Sequence, residues 1–273
     1  MRLKSKSNNR IAIVKVEGVI ADSERFGAGR SKIMASLKEA ERARVRALIL
    51  RVNSPGGSVA TCQEIFASIE HVKDKGIPIV ASMGDVAASG GVYVSMAANE
   101  IFANPGTVTG SIGVIIRTSD LSHLYDKVGI SPKVVKSGAY KDMLATYRAF
   151  SKDEESLLQD VINDTHNQFV EVVAASRNKT KDEIAQIADG RIMTGRQASE
   201  AGLVDSLGGL DNAIKRASAL AGLEGEPKLL LFQPRKRMFQ KLFGSLTDYG
   251  EKAAAGSSLS GIPLWLLPTF WPI

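Results

Sequence analysis

The sequence has one cysteine, Cys62, three histidines and no long apolar run. A single thiol forbids an intrachain disulfide and excludes a cysteine-built zinc cluster, and it fits a reducing compartment. No stretch reaches the roughly 18–20 apolar residues that a membrane-spanning helix needs. The first apolar segment, Ile11 to Ile20, is interrupted by Lys15 and Glu17 and alternates as a strand does. It therefore reads as neither a secretory signal nor an anchor. Scarce histidine also leaves few candidates for the usual general base. His71 and His166 fall inside amphipathic helical patterns, which leaves His123 as the alternative.

What is there is an ordinary globular composition: 273 residues, 44% hydrophobic and 23% charged, enough for one large domain or two small ones. The net charge of +6 is uneven. Residues 1–10 and 235–241 carry +4 each, so the rest of the chain, at −2, is nearly neutral. Basic ends suit an anionic surface, lipid or nucleic acid, touched by the tails; they are equally explained as solvated tails.

One stretch organises the rest: Gly84-Asp85-Val86-Ala87-Ala88-Ser89-Gly90-Gly91-Val92-Tyr93. The apolar run from Ile77 to Met83 before it reads as a buried strand, and Gly90 to Ala98 after it as a helix of small residues. A tight turn between them would project the Ser89 hydroxyl and offer helix N–H groups to developing negative charge. Serine is also a preferred N-cap, so the stretch alone leaves a plain cap as the alternative.

Around it, Ile11–Val16 and Ala47–Val52 read as strands, and Ser31–Arg42 and the run up to Lys73 as helices. Gly27 to Lys32 glances at a phosphate loop but lacks its spacing and reads as a flexible loop. Further strands are expected at Glu100–Ala103, after the turn at Thr109–Gly113, at Pro132–Lys136 and at Lys228–Phe232. Helices are expected over Ser119–Val128, after the capping-box pattern Ser151-x-x-Glu154, over Thr194–Ala201 and over Asp211–Leu220. Alternating strands and helices predict an α/β fold with a largely parallel sheet, and no long internal repeat is evident.

A serine nucleophile needs a proton acceptor, an oxyanion site and a group that holds the acceptor. Lysine can be that acceptor where burial favours its neutral amine. Lys141 is the candidate, because it follows Ser137-Gly138-Ala139-Tyr140 at a predicted strand end rather than on a polar helix face. Asn53-Ser54-Pro55-Gly56-Gly57-Ser58 follows a buried strand, and a glycine pair there lets backbone N–H groups turn toward an oxyanion. Taken alone it is just a turn.

Four motifs occur in order: Asn-Ser-Pro-Gly-Gly-Ser at 53–58, Ala-Ala-Ser-Gly-Gly-Val-Tyr at 87–93, Gly-Ser-Ile-Gly-Val at 110–114 and Ser-Gly-x-Tyr-Lys-Asp at 137–142. Together, over about residues 11–225, they resemble the signal peptide peptidase A (protease IV) family. The resemblance implies the Clp-protease/crotonase-like fold, a spiral of ββα units around a largely parallel sheet. It also implies a Ser/Lys-dyad serine endopeptidase that cuts apolar peptides, such as cleaved signal peptides, through an acyl-enzyme. Carried over by motif, Ser89 is the nucleophile and Lys141 the general base, with Ser111 orienting the lysine. Gly56 and Gly57 fall in the oxyanion loop, and Gly90 follows the nucleophile.

No cofactor, metal or nucleic acid is implied, and a homo-oligomeric ring is expected. The rival readings are an acyl-CoA enzyme of the crotonase type and a non-catalytic scaffold; neither has a use for both Ser89 and Lys141. Expected boundaries are a basic tail over 1–10, the peptidase domain over 11–233, and a basic then apolar tail over 234–273. Membrane-bound family members of this size usually carry an N-terminal spanning helix, and none is read in this sequence. A cytoplasmic or peripherally membrane-associated protein is therefore expected. The tail, with Trp265 and Trp271, suits a lipid interface, a neighbouring subunit or the protein's own substrate groove.

Overall fold

The computed structural model describes residues 9–23 and 27–232 together with the backbone of Leu264–Leu266. The expected basic N-terminal tail, apart from its last two residues, and the rest of the C-terminal tail lie outside the described residues. In chain order the elements are β1 (Arg10–Glu17), β2 (Val19–Ala21), β3 (Gly27–Gly29), α1 (Arg30–Arg42), β4 (Ala47–Ser54), β5 (Gly56–Ser58), α2 (Val59–Asp74), β6 (Ile79–Ala88) and α3 (Gly90–Ser95). There follow β7 (Glu100–Ala103), β8 (Val108–Gly110), α4 (Ser122–Lys127), α5 (Lys152–Arg177), α6 (Lys181–Ala185), β9 (Ile192–Thr194), α7 (Gly195–Glu200), β10 (Ser206–Leu207), α8 (Leu210–Leu220), β11 (Lys228–Phe232) and β12 (Leu264–Leu266).

The main sheet runs β10-β7-β6-β4-β1-β11, with every pair on that path parallel. Its central strands are apolar on both faces, as a sheet covered on both sides requires. In β1, Ile11 and Ile13 face α8 and pack with Ala213 and Ala217. Ala12, Val14 and Val16 face the opposite layer, where α1 and α2 contribute Ile33, Leu37, Ile65 and Ile69. This is the expected α/β architecture with a largely parallel sheet. A second, small sheet has the order β12-β5-β2-β3. Among the described residues no helix is long and apolar enough to cross a membrane.

Four local expectations are corrected. Strand β6 does not stop at Met83: it continues to Ala88, past an irregularity in its register with β4 between Val52 and Ser54. The Asn53 side chain fills that irregularity, accepting a hydrogen bond from the Val86 N–H at 3.0 Å. Gly27–Gly29, read as a flexible loop, is strand β3 beside β2. The strand expected after Thr109–Gly113 instead falls at the start of that stretch, as β8. Pro132–Lys136 is not a strand: among the described residues no backbone pairs with it, and Val134 and Val135 stand in solvent.

Helix α5 does start at the predicted capping box. Ser151 Oγ accepts from the Glu154 N–H, and the Glu154 carboxylate accepts from the Ser151 N–H. Its apolar stripe is buried only toward the C-terminal half, at Phe169, Val170 and Val173, while Leu157 and Val161 are exposed.

Candidate active site

Strands β6 and β8 are parallel neighbours, and their last paired residues are Ala88 and Gly110. The residues that follow are Ser89 and Ser111. Adjacent strands lie about 4.8 Å apart, so ending both at one level sets two serines side by side. The Ser89 N–H donates to the Gly110 carbonyl at 2.8 Å, which locks the pair. Thr109 Oγ1 donates to the Ala87 carbonyl at 2.7 Å and Thr107 Oγ1 to the Gly84 carbonyl at 2.7 Å, so the end of β6 is pinned from its neighbour. Neither threonine is given a role by the sequence, and Asn53 enters there only as the first residue of the 53–58 motif. A buried threonine beside a glycine-rich strand end is the only signal that could have found them.

Ser89 has φ 52° and ψ −116°, a backbone that serine avoids. Holding a non-glycine residue there costs about 1–3 kcal/mol, and such strain persists where the surrounding structure over-determines it. The residue is buried, yet its Oγ has no hydrogen-bond partner. Ser89 is the N-cap residue of α3, but its side chain makes no capping bond, so the plain capping role fails on geometry. A desolvated, unpaired hydroxyl aimed by a strained turn is what a nucleophile requires. Replacing Ser89 tests the strain directly. Ser89→Gly unfolds in urea with about 1 kcal/mol more stability than Ser89→Ala. Both lack the hydroxyl, and only alanine keeps the disfavoured φ.

Gly56 and Gly57, expected in a turn, form the start of strand β5 beside β2. A Cβ on Gly90 would stand 3.1 Å from Gly56 Cα, 3.1 Å from Gly57 N and 2.6 Å from Cys62 Sγ, so the Gly56–Gly57 loop is packed against the residue after Ser89. A Cβ on Gly91 would stand 2.7 Å from the Ser54 carbonyl oxygen. Gly56 directs its N–H to Ser54 Oγ at 3.1 Å. Cys62, the other nucleophilic side chain nearby, is fully buried and its thiol is pushed well above the usual range by desolvation. It is packing, not chemistry.

Ser111 shares the positive φ of Ser89, also 52°, and donates its N–H to the Arg191 carbonyl at 2.7 Å. It opens onto a cleft of about 340 Å³ lined also by Gln159, Asn163 and His166 of α5 and by Gly113 and Val114. His166 binds the Ala188 carbonyl through Nε2 at 2.7 Å. His71 and His123 are exposed. No histidine bonds Ser89.

Lys141 departs from expectation. It is exposed, in a turn rather than at a strand end, and its side chain is not bonded to Ser89. The reason is that residues 116–150 carry only the short helix α4, and most of the side chains before Asp142 stand open to solvent. The structure thus brings together Ser89, Ser111, Gly56, Gly57 and Gly90, and leaves Lys141 outside that group. Among the described residues no cluster of side chains could hold a metal ion.

A buried, unpaired serine on a strained strand-to-helix turn, facing a glycine loop, defines a serine-type peptidase on a Clp-protease-like α/β fold. Comparison with known proteins agrees. Residues 71–224 match peptidase family S49 and residues 14–108 match the Clp protease family. A putative protease of Synechocystis sp. is 41% identical over 96% of this chain and 98% of its own length. A putative signal peptide peptidase SppA of Enterococcus faecium is 38% identical over 76% of the chain and 62% of its own length. Protease 4 of Salmonella typhi is 34% identical over 82% of the chain, which spans only 37% of that longer protein. The chain belongs to peptidase family S49, in its signal peptide peptidase A (protease 4) group.

Proposed function

We propose that the protein is an endopeptidase that cuts apolar peptides, such as cleaved signal peptides, with a Ser89/Lys141 dyad completed between copies of the chain in a ring. The observation that carries the nucleophile is the strained, buried and unpaired Ser89 hydroxyl. Lysine 141 in its neutral form takes the Ser89 proton, and Oγ bonds to the scissile carbonyl carbon. The protonated lysine then donates to the leaving amine as the peptide C–N bond breaks, leaving an acyl-enzyme. The same amine next takes a proton from water as the hydroxide adds to the ester carbonyl, and it hands that proton to Ser89 Oγ as the C–O bond breaks and the acid leaves. Ser111, beside Ser89, orients the incoming amine. The Gly90 N–H and the backbone at Gly57 face the oxyanion, while the Gly56 N–H is held by Ser54 Oγ.

Two features favour completion by a second copy. Lys141 lies in an exposed segment whose Val128, Ile130, Val134 and Val135 meet solvent, and α5 exposes Leu157 and Val161. Exposed apolar side chains over one contiguous stretch mark an interaction surface. The direct test of the nucleophile is labelling with a fluorophosphonate probe. Modification of Ser89 supports the reading; probe incorporated at any other residue, or none in Ser89-containing protein, overturns it.

Peptide binding has a ready edge. Strand β5 lies between β2 and β12, with Gly57 opposite Ile20 on one side and Trp265 on the other. The tail strand is antiparallel and also runs beside α3, the helix that Ser89 opens. An extended substrate adding to β5 would take the same place, the β-augmentation mode of peptide recognition. The tail is then a tethered competitor at high effective concentration. Deleting residues 264–273 lowers KM for a free apolar peptide several-fold with kcat held. Intact mass spectrometry gives the second arm: wild-type protein loses a C-terminal fragment by cutting within residues 253–261, and Ser89→Ala keeps full mass. Unchanged KM together with an intact tail in both proteins sinks this role.

A further inference from the structure

The turn that carries Lys141 lacks the usual supports. It belongs to no strand or helix, and little apolar surface holds it down. A dyad nevertheless needs its amine placed to within about an ångström, since a 1 Å error costs about 10²-fold in rate. Something else must fix it.

Asp142, the next residue, is where the polar contacts converge. Lys136 Nζ donates to its Oδ1 at 2.7 Å and to the Ala139 carbonyl at 2.8 Å, closing the turn on its N-terminal side. Tyr147 OH donates to Oδ2 at 2.8 Å. Arg148 Nη2 donates to Oδ1 at 2.7 Å, and Arg148 Nε to Oδ2 at 3.3 Å. The same guanidinium reaches Glu154, with Nη1 donating to Oε2 at 2.8 Å and Nη2 to Oε1 at 2.5 Å. Glu154 is only 3% exposed and is the capping-box residue of α5. Helix α5 is in turn rooted in the core by Phe169 and Val173.

The arrangement is a chain of rigid links. The core holds α5, α5 holds the Glu154 carboxylate, and a planar guanidinium bridges that carboxylate to the Asp142 carboxylate beside Lys141. Paired charge-assisted bonds from one guanidinium fix direction as well as distance, which a lysine's point charge does not. The electrostatics are consistent with this. Arg148 holds Glu154 down to about 2, with help from the Ser151 N–H. Arg148, Lys136 and Tyr147 hold Asp142 well below the usual carboxylate range.

We infer that Asp142 and Arg148 are positioning residues, an ionic clamp that ties the Lys141 turn to the N-terminus of α5 so that the lysine arrives at the serine in one orientation. This rests on the reading of Lys141 as the general base. It predicts a loss in kcat rather than in binding, because the clamp holds the turn that carries the base and not the peptide.

The test uses the full chain and a fluorogenic apolar peptide. Asp142→Asn is the primary variant, since it leaves the Arg148–Glu154 bonds and the helix cap in place. Expected is a fall in kcat of about 10²-fold with KM changed by less than about twofold. Arg148→Ala gives a similar fall, and Arg148→Lys recovers part of it. In the Lys141→Ala background, Asp142→Asn changes residual fluorophosphonate labelling of Ser89 by less than about twofold, because the clamp acts only through the lysine. Wild-type kcat in Asp142→Asn, while Lys141→Ala is inactive, overturns the clamp and leaves the dyad standing. A further large loss of labelling in the Lys141→Ala background shows a merely structural role and also overturns it. Full activity of Lys141→Ala overturns the dyad itself, and the clamp with it.

Discussion

Ser89→Ala and Lys141→Ala each lower hydrolysis of an apolar peptide by about 10⁴-fold or more, and the double variant is no worse than either single one. Groups that act as one unit lose everything when one is lost, so the second deletion has nothing left to remove. All three proteins keep the wild-type fold: alanine at 89 leaves the packing around α3 untouched, and Lys141 is exposed. The larger effect comes from mixing. Co-assembled in equal amounts, the two inactive single variants recover activity at about one quarter of the sites, those that pair an intact serine with an intact lysine from its neighbour. Recovery requires the dyad to be built between copies. A mixture as inactive as its components places the closure within one chain, and a Lys141→Ala protein with substantial turnover ends the lysine-base mechanism and returns attention to His123.

Most of this was open to reading because the site lies at the ends of buried strands. The runs through Ile13, Leu48 and Val80 leave no choice but a covered parallel sheet, and Ser89 follows the third of them. What sequence reading misses are elements whose side chains carry no periodic signal. Strands β3 and β5 are three residues long and glycine-rich, and their pairing is decided by neighbouring backbone, not by their own apolar pattern. The stop placed at Gly84 fails for a similar reason: Asn53, thirty-one positions earlier, supplies the hydrogen bond that carries β6 through its irregularity to Ala88. Lys141 is the opposite case. Val134 and Val135 carry strand propensity, but β-propensity is realised only against a pleated neighbour, and none lies alongside among the described residues. The lysine is singled out by its motif alone, and in the structure its turn stands exposed and unbonded to Ser89.

Gly57, proposed to lie at the oxyanion, yields the second large effect. Gly57→Ala destabilises the protein by about 3 kcal/mol or more and, in whatever remains folded, cuts kcat by about 10²-fold. A Cβ at Gly57 would lie 1.8 Å from the Ile20 carbonyl oxygen, 2.6 Å from its carbonyl carbon and 2.7 Å from its N. All three are backbone atoms of β2, so no rotamer change relieves the overlap; β5 must move off β2 or the small sheet must open. Either movement carries the loop away from Gly90, whose own missing Cβ is what lets Gly56 and Gly57 approach within 3.1 Å of that position. Stability and catalysis are therefore lost together, from one methyl group that never touches the nucleophile. Gly106→Ala is the matched control. Nothing lies within 4 Å of its Cβ position and its φ is outside the left-handed range, so its urea midpoint stays within about 0.5 kcal/mol of wild type with activity unchanged. If Gly57→Ala instead keeps the wild-type midpoint and kcat, β5 is not held against β2, and the Gly56–Gly57 loop has no part in stabilising the oxyanion.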